Sequence, residues 1–291
     1  MKIIDILKLK DRSLSFEFFP PKNKEKEMLL FKTIEKLSKY SPDFASITYS
    51  PTGLSKEKSI MWSKALKYKF NIEPMMHITC ISSTKDEVSK ILQQLKNDSI
   101  ENVLALRGDI LDNETFLRNS AFSHAIDLIK YIKSLDDFCI GCAGYPEGHI
   151  ECKNLEKDVD YLSKKIDAGA QFIITQLFFN NTHFYNFMNL ITKKGIKVPV
   201  ISGIMPITSF NQILKFTNIC GATIPEKLIE KLQNKSDDYV FNVGTEYTYN
   251  QCIDLIEKGF KRLHFYTLNN SKAVEIILQK LLSTKHIANN Q

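Results

Sequence analysis

The sequence predicts a single (β/α)8 TIM barrel. Strand-like and helix-like segments alternate from one end of the 291-residue chain to the other. Most of the strand candidates are continuous apolar runs, which marks strands covered on both faces in a parallel sheet. Eight strands, each followed by helix, fit a closed barrel of roughly 250 residues or a little more. A doubly wound open sheet is the nearest competitor. No Gly-x-Gly-x-x-Gly follows any strand, so the dinucleotide fingerprint of that fold is missing.

The first strand, Ser15–Phe19, is stopped by Pro20 and Pro21, which lack the donor a ladder needs. Leu30, Ile34 and Leu37 then form the stripe of a helix. Phe44–Tyr49 and Met76–Cys80 are the second and third strands. A capping-box pattern from Thr84 to Glu87 opens a helix striped by Val88, Ile91, Leu92 and Leu95. Asn102–Gly108 and Cys139–Tyr145 are the fourth and fifth strands. Leu155, Val159, Leu162 and Ile166 stripe the next helix, which ends at Gly169. Phe172–Phe178 precedes a helix carrying Phe184, Phe187, Met188 and Ile191. Val198–Met205 is the seventh strand. The stretch from Thr208 to Phe260 holds two or three helices, the last striped by Cys252, Ile253 and Ile256; it reads as an elaborated seventh crossover. Leu263–Leu268 closes the set, followed by Ala273, Ile276 and Ile277 on a final helix. No Gly/Ser/Pro linker or low-complexity segment marks a boundary. Residues 1–291 therefore read as one catalytic barrel domain, with no regulatory domain.

Composition narrows the function classes. Hydrophobic residues make up 43% and charged residues 25%, the balance of an ordinary globular chain. No apolar run is long enough for a membrane span. The N-terminus is broken by Asp5, Lys8 and Lys10 and lacks a signal-peptide pattern, so a cytoplasmic protein with reduced thiols is expected. Cys139 and Cys142 have a metal-like spacing, but residues three apart on a strand point to opposite faces, so no metal site is read there. The net charge of +6 comes from lysines scattered among acids, with no basic block or basic-aromatic alternation that would suggest nucleic acid.

In a barrel of this kind the active site lies where the strands end. Those ends carry Glu17, Thr48-Tyr49, His77, Arg107-Gly108-Asp109, Tyr145-Pro146-Glu147 with His149, Gln176, Gly203 to Pro206, and Thr267-Leu268-Asn269. Glu17 stands between Phe16 and Phe18. A carboxylate buried without a partner tends to hold its proton, which suits a general acid. On that segment alone a strand-end Glu paired with a Lys or Arg is the better account. His77 could be a satisfied core histidine, and Arg107 with Asp109 a rim ion pair. Together the residues converge on one rim, which a purely structural account does not require. On the helix after the fifth strand, spacings of three and four put Asp158, Tyr161 and Lys165 near one face that could hold ribose and phosphate. A solvated helix surface explains them as well.

The motifs in chain order are Ser-Phe-Glu-Phe-Phe-Pro-Pro at 15–21, Ser-Ile-Thr-Tyr at 46–49, His-Ile-Thr-Cys at 77–80 and Leu-Ala-Leu-Arg-Gly-Asp at 104–109. Tyr-Pro-Glu-Gly-His at 145–149, Lys-Ile-Asp-Ala-Gly-Ala at 165–170 and Ile-Thr-Gln-Leu-Phe-Phe at 174–179 follow. Gly-Ile-Met-Pro at 203–206 and His-Phe-Tyr-Thr-Leu-Asn at 264–269 complete them. Together they resemble the motifs of the bacterial, flavin-dependent 5,10-methylenetetrahydrofolate reductase family.

The resemblance implies a barrel that binds FAD. NAD(P)H, with NADH the expected donor, reduces the flavin, and methylenetetrahydrofolate is then reduced to methyltetrahydrofolate, which supplies methyl groups for methionine synthesis. Glu17 matches the family's general acid and Asp109 a carboxylate beside flavin and folate. The matched FAD positions are Thr48, Tyr49, His77, Arg107, Gly108, Asp109, Tyr145, His149, Asp158, Lys164 and Lys165, with Phe122 and Tyr161 as further lining. Gln176, Gln212 and Phe216 match folate contacts. Asn270 stands where the family has an arginine associated with the folate, and Lys272 is close enough in sequence to substitute. A homo-oligomer is the implied assembly. A flavin-free pterin-binding barrel and a non-catalytic barrel are the competing readings; both predict a colourless protein.

Overall fold

The eight apolar runs form eight parallel strands in a closed barrel: β1 (Ser13–Phe18), β2 (Phe44–Ile47), β3 (Pro74–Thr79), β4 (Asn102–Leu106), β5 (Cys139–Gly144), β6 (Phe172–Thr175), β7 (Val200–Ile204) and β8 (Arg262–Tyr266). The computed structural model describes residues 1–48, 54–81, 83–108, 120–152 and 154–284. Each strand pairs with its neighbour in chain order, and β8 returns to β1 with Ser13 opposite Arg262 and Glu17 opposite Tyr266. Every expected strand is present, most of them shortened at the C-terminal end, where the chain leaves the ladder for the loops.

Around the barrel lie α1 (Ile3–Leu9), α2 (Lys24–Ser38), α3 (Leu54–Tyr68), α4 (Lys85–Asn97), α5 (Ala125–Leu135), α6 (Leu155–Asp167), α7 (Asn181–Lys193), α8 (Phe210–Cys220), α9 (Glu226–Leu232), α10 (Asp237–Glu257) and α11 (Lys272–Ser283). The long seventh crossover is the three helices α8, α9 and α10. The capping box that opens α4 is formed in full, with Thr84 and Glu87 each bonding the other's backbone. None of the described helices is long and apolar enough to cross a membrane.

The strand period of two sorts side chains into two cores. Outward-facing Phe16, Phe18, Ile47 and Phe265 pack with Leu30, Ile34 and Leu37 of α2 and with Ile277 and Leu281 of α11. On the other side of the ring, outward Ile78, Val103, Ile140 and Cys142 meet the stripes of α4, α5 and α6. Inward-facing Phe44, Met75, Leu104, Cys139, Phe172, Ile174 and Ile201 fill the lower interior. Cys139 and Cys142 thus fall on opposite faces of β5, as strand alternation requires.

Helix α1 is absent from the sequence reading, because Lys8, Lys10 and Asp5 break its apolar run. Tertiary packing makes it: Ile3, Ile4 and Leu7 plug the lower mouth against the inward ring. Its backbone is tied there too. Ile3 N–H donates to Asn102 Oδ1 (2.7 Å), and the Arg262 guanidinium donates to the Leu7 carbonyl (3.0 Å). Leu7 is almost fully buried, so Leu7→Ala should cost about 2–5 kcal/mol. The urea midpoint should fall accordingly; an unchanged midpoint would mean that the barrel closes without its plug.

Candidate active site

Above the plug, the upper interior opens into a cleft of about 470 Å³ at the C-terminal ends of the strands. Leu104 and Ile174 belong both to the plugged core and to the cleft, so the dry interior is the cleft's floor. Glu17, Thr48, His77, Arg107, Gly108, Tyr145, His149, Gln176 and Phe216 all line it. Residues from the ends of six strands and from helix α8 are therefore brought to one place.

Glu17 points inward and is 7% exposed. Its sequence neighbours Phe16 and Phe18 face the helices instead, on the other side of the sheet. The aromatic rings expected to desolvate this carboxylate are thus not its neighbours, because alternate residues of a strand face opposite ways. Its actual surroundings are His77 Nε2 at 3.5 Å, His264 Nε2 at 3.9 Å and the cleft-lining Tyr266. A buried carboxylate without partners is costly, and the two imidazoles place polar atoms within 4 Å of this one.

His264 is fully buried beneath this group. Its Nδ1 lies 2.8 Å from Ser15 Oγ, and that hydroxyl donates to the Leu263 carbonyl (3.3 Å). The Nδ1–H is therefore assigned as donor to Ser15, which turns Nε2 toward Ser46 Oγ (3.5 Å) and Glu17. Sequence reading missed both His264 and Tyr266. The period-two alternation of Arg262-Leu263-His264-Phe265-Tyr266 was the available signal. Tyr266 hydroxyl donates to the Thr175 carbonyl (2.7 Å), crossing Gly203 at a point where a Cβ would meet its oxygen at 2.7 Å.

On the opposite wall, Arg107 donates through both terminal nitrogens to Glu151, at 2.5 and 2.8 Å. This bond holds the Glu151 carboxyl below its ordinary pKa. Glu151 also went unread in the sequence. Gly108 follows with φ +88°, a conformation suited to glycine, and a Cβ there would stand 3.0 Å from Thr79. His149 packs edge-on to Tyr145, with ring centroids 4.8 Å apart. Lys165 Nζ donates to the Ala143 carbonyl (2.7 Å) and stands 5.8 Å from the Tyr145 ring centroid. Asp158 is buried, which raises its pKa; Lys165 and His149 oppose the rise.

Several expected residues are not brought to the cleft. On α6 an advance of seven residues returns to within about 20° of the start, whereas three residues leave about 60° and six about 120°. Lys165 therefore joins Asp158, while Tyr161 turns out to solvent and Lys164 stands 5.2 Å from its ring centroid. Phe122 is buried in the helix layer against Tyr131. Gln212 accepts from the Thr208 hydroxyl (2.6 Å). Asn270 is exposed, its side chain accepting from the Lys272 N–H (3.0 Å), and Lys272 Nζ lies over the Phe241 ring. Tyr49 and Asp109 lie outside the described residues.

The model of the family described as methylenetetrahydrofolate reductase matches residues 2–282. Among curated relatives, the 5,10-methylenetetrahydrofolate reductase of Escherichia coli is 34% identical over 262 residues, covering 89% of this chain and 87% of that protein. Methylenetetrahydrofolate reductase 1 of Schizosaccharomyces pombe is 33% identical over 273 residues. That match takes in 92% of this chain and 45% of the yeast protein, so the chain spans about half the length of such relatives. Among solved structures, a Clostridium thermocellum protein described as binding two copies of 5-methyl-5,6,7,8-tetrahydrofolic acid superimposes with a TM-score of 0.70. It is 17% identical, covers 98% of each chain, and shows the fold alone.

Burial lowers the pKa of His77 below its ordinary 6.5, with Glu17 pulling the other way. The unfolded chain then takes up this proton at a higher pH than the folded one does. Stability should consequently fall as pH drops below about 6.5, where the unfolded state binds more protons. His149, lowered by burial and by Arg107, acts in the same direction. Urea midpoints between pH 7.5 and 5 should decline in the wild type and less steeply in His77→Gln; equal slopes would place the proton uptake elsewhere.

Proposed function

The chain belongs to the methylenetetrahydrofolate reductase family, and on that premise we propose that it reduces 5,10-methylenetetrahydrofolate to 5-methyltetrahydrofolate with FAD and NAD(P)H, NADH being the expected donor. The observation that carries this reading is Glu17, buried at the base of the cleft with His77 and His264 against it. The methyl product would serve methionine synthesis in the cytoplasm, and the family implies a homo-oligomer.

The cleft's chemistry fits FAD. His77 Nε2, Thr79 Oγ1 and Arg107 Nε are buried on its wall without a hydrogen-bond partner among the described residues. Buried polar atoms are nearly always bonded, so these three suit a polar ligand. The cations Arg107 and Lys165 would hold the diphosphate; this takes the place of a glycine-rich helix N-terminus, which the sequence lacks. Gly108 keeps the backbone bare beside them. When bound, FAD would supply the hydride carrier between nicotinamide and folate. Gln176, with its side-chain oxygen engaged by the Leu177 N–H (2.9 Å), would offer its amide nitrogen to the folate. Phe216 would cover the occupant of the cleft. By the family resemblance, Asp109 is the carboxylate that would act on flavin and folate.

Opening the one-carbon bridge leaves a nitrogen that must gain a proton. Glu17 is the donor in this reading, and His77, neutral at pH 7 because burial lowers its pKa, adds no positive charge beside it. The low-dielectric floor strengthens every charge interaction made there.

Glu17→Gln keeps the shape but cannot give up a proton. It should retain FAD, still bleach with NADH, and lose folate reduction by about 10²–10⁴-fold. Stopped-flow traces of each half-reaction decide the matter; near wild-type reoxidation by methylenetetrahydrofolate would remove Glu17 as the acid. A colourless purified protein that takes up no added FAD would overturn the flavin reading itself.

The two α6 lysines separate on the same reading. Lys165→Ala should weaken FAD binding by about 1–3 kcal/mol. Lys164→Ala, exposed beside Tyr161, should change it far less. Flavin fluorescence titration distinguishes them, and equal losses in the two variants would contradict the arrangement of α6.

A further inference from the structure

We propose that Glu147 is a positioning residue that latches one wall of the cleft to the other. The proposal rests on reading the cleft as the folate site. Helix α8 contributes Phe216, Ile219 and Cys220 to that wall. Yet of its 11 residues only Ile213 and Thr217 are buried. So little buried surface leaves the helix dependent on tethers at its ends.

The tether lies just beyond its C-terminus. The Glu147 carboxylate accepts the Thr223 backbone N–H at both oxygens (3.2 and 3.1 Å) and the Thr223 hydroxyl at 2.5 Å. His183 Nε2 stands 3.6 Å from the carboxylate and 3.4 Å from the same hydroxyl. The Glu147 side chain is only 10% exposed, although Thr223 itself is at the surface. Ile150 adds a second contact, close enough to Gly221 that a Cβ there would lie 3.5 Å from it. Tyr145, His149 and Ile150, from the same short segment as Glu147, line the same cleft as α8. Glu147 therefore ties together two segments that both line the cleft. Its carboxylate suits the task because it receives two donors of one residue at once, and no other described side chain accepts from Thr223 N–H.

The test uses the full chain loaded with FAD. Wild type, Glu147→Ala, Thr223→Val and the double variant are compared by amide hydrogen exchange of α8 and by Kd for 5-methyltetrahydrofolate. Glu147→Ala should speed α8 exchange and raise the folate Kd by about tenfold, with the FAD Kd held within about twofold. Thr223→Val should have a smaller effect alone and add nothing to Glu147→Ala, because both remove one interaction. Glu147→Gln, which keeps an acceptor, should fall between wild type and Glu147→Ala. Unchanged α8 exchange in Glu147→Ala, or full additivity in the double variant, would overturn the latch. If wild type binds no folate, the functional reading fails, and the exchange comparison then decides the latch by itself. Thr223→Val, a near-isosteric change at the surface, keeps the test open should Glu147→Ala fail to fold.

Discussion

The pairing of β8 with β1 is the constraint on which the site depends. These strands are separated by most of the chain, and their register sets Ser15 beside His264 and Glu17 beside Tyr266. Once the ring is closed, strand alternation leaves no choice about direction: Ser15, Glu17, His264 and Tyr266 face in, while Phe16, Phe18, Leu263 and Phe265 face out. The seam continues past the strands. Asn269, at φ +58°, exchanges two hydrogen bonds of 2.8 Å with the backbone of Phe19, and the Thr267 hydroxyl donates to the Glu17 carbonyl (2.6 Å). Asparagine tolerates this left-handed conformation better than most residues. Glu17 is thereby held from its backbone as well as from its side chain.

A polar group inside a barrel needs both partners and a dry floor. The inward ring from Phe44 to Ile201, sealed from below by α1, excludes water from the base of the cleft. Above it the polar layer is satisfied step by step, from Leu263 carbonyl to Ser15, to His264, to Ser46 and Glu17. The layer ends at His77, whose Nε2 finds no hydrogen bond among the described residues but faces Glu17 and the cleft. Interior packing thus prepares the site's electrostatics: burial lowers the pKa of His77 and raises that of Tyr266, both on the cleft wall.

The walls follow different physics from the floor. Strand ends position their side chains rigidly, as the scaffold of a (β/α)8 barrel does in general. The loop after β5 and helix α8 are instead held by point contacts, Arg107 to Glu151 and Glu147 to Thr223. An ion pair as exposed as Arg107–Glu151 contributes little stability. Its value lies in aiming a guanidinium at the cleft. The carboxylate of Glu147 is better buried, and its several donors make it the firmer of the two ties.

Strand order, the parallel sheet, most helix stripes and the capping box at Thr84 were legible in the sequence, because each is a local pattern of period two or 3.6. Motif order also identified Glu17, His77, Arg107, Tyr145 and Gln176, which the fold gathers into one cleft. Which neighbours each would have was beyond the sequence. Phe16 and Phe18 adjoin Glu17 in the chain but not in space, and Tyr161 shares a helix with Lys165 but not a direction. His264, Tyr266 and Glu151 were overlooked because their partners lie 44 to 249 residues away. Helix α1 was invisible because its stability comes from the ring it plugs. The sequence by itself determined the periodicities and the chemical inventory. Only barrel closure decided which groups face each other, since contacts between distant strands are set by register and not by any local spacing.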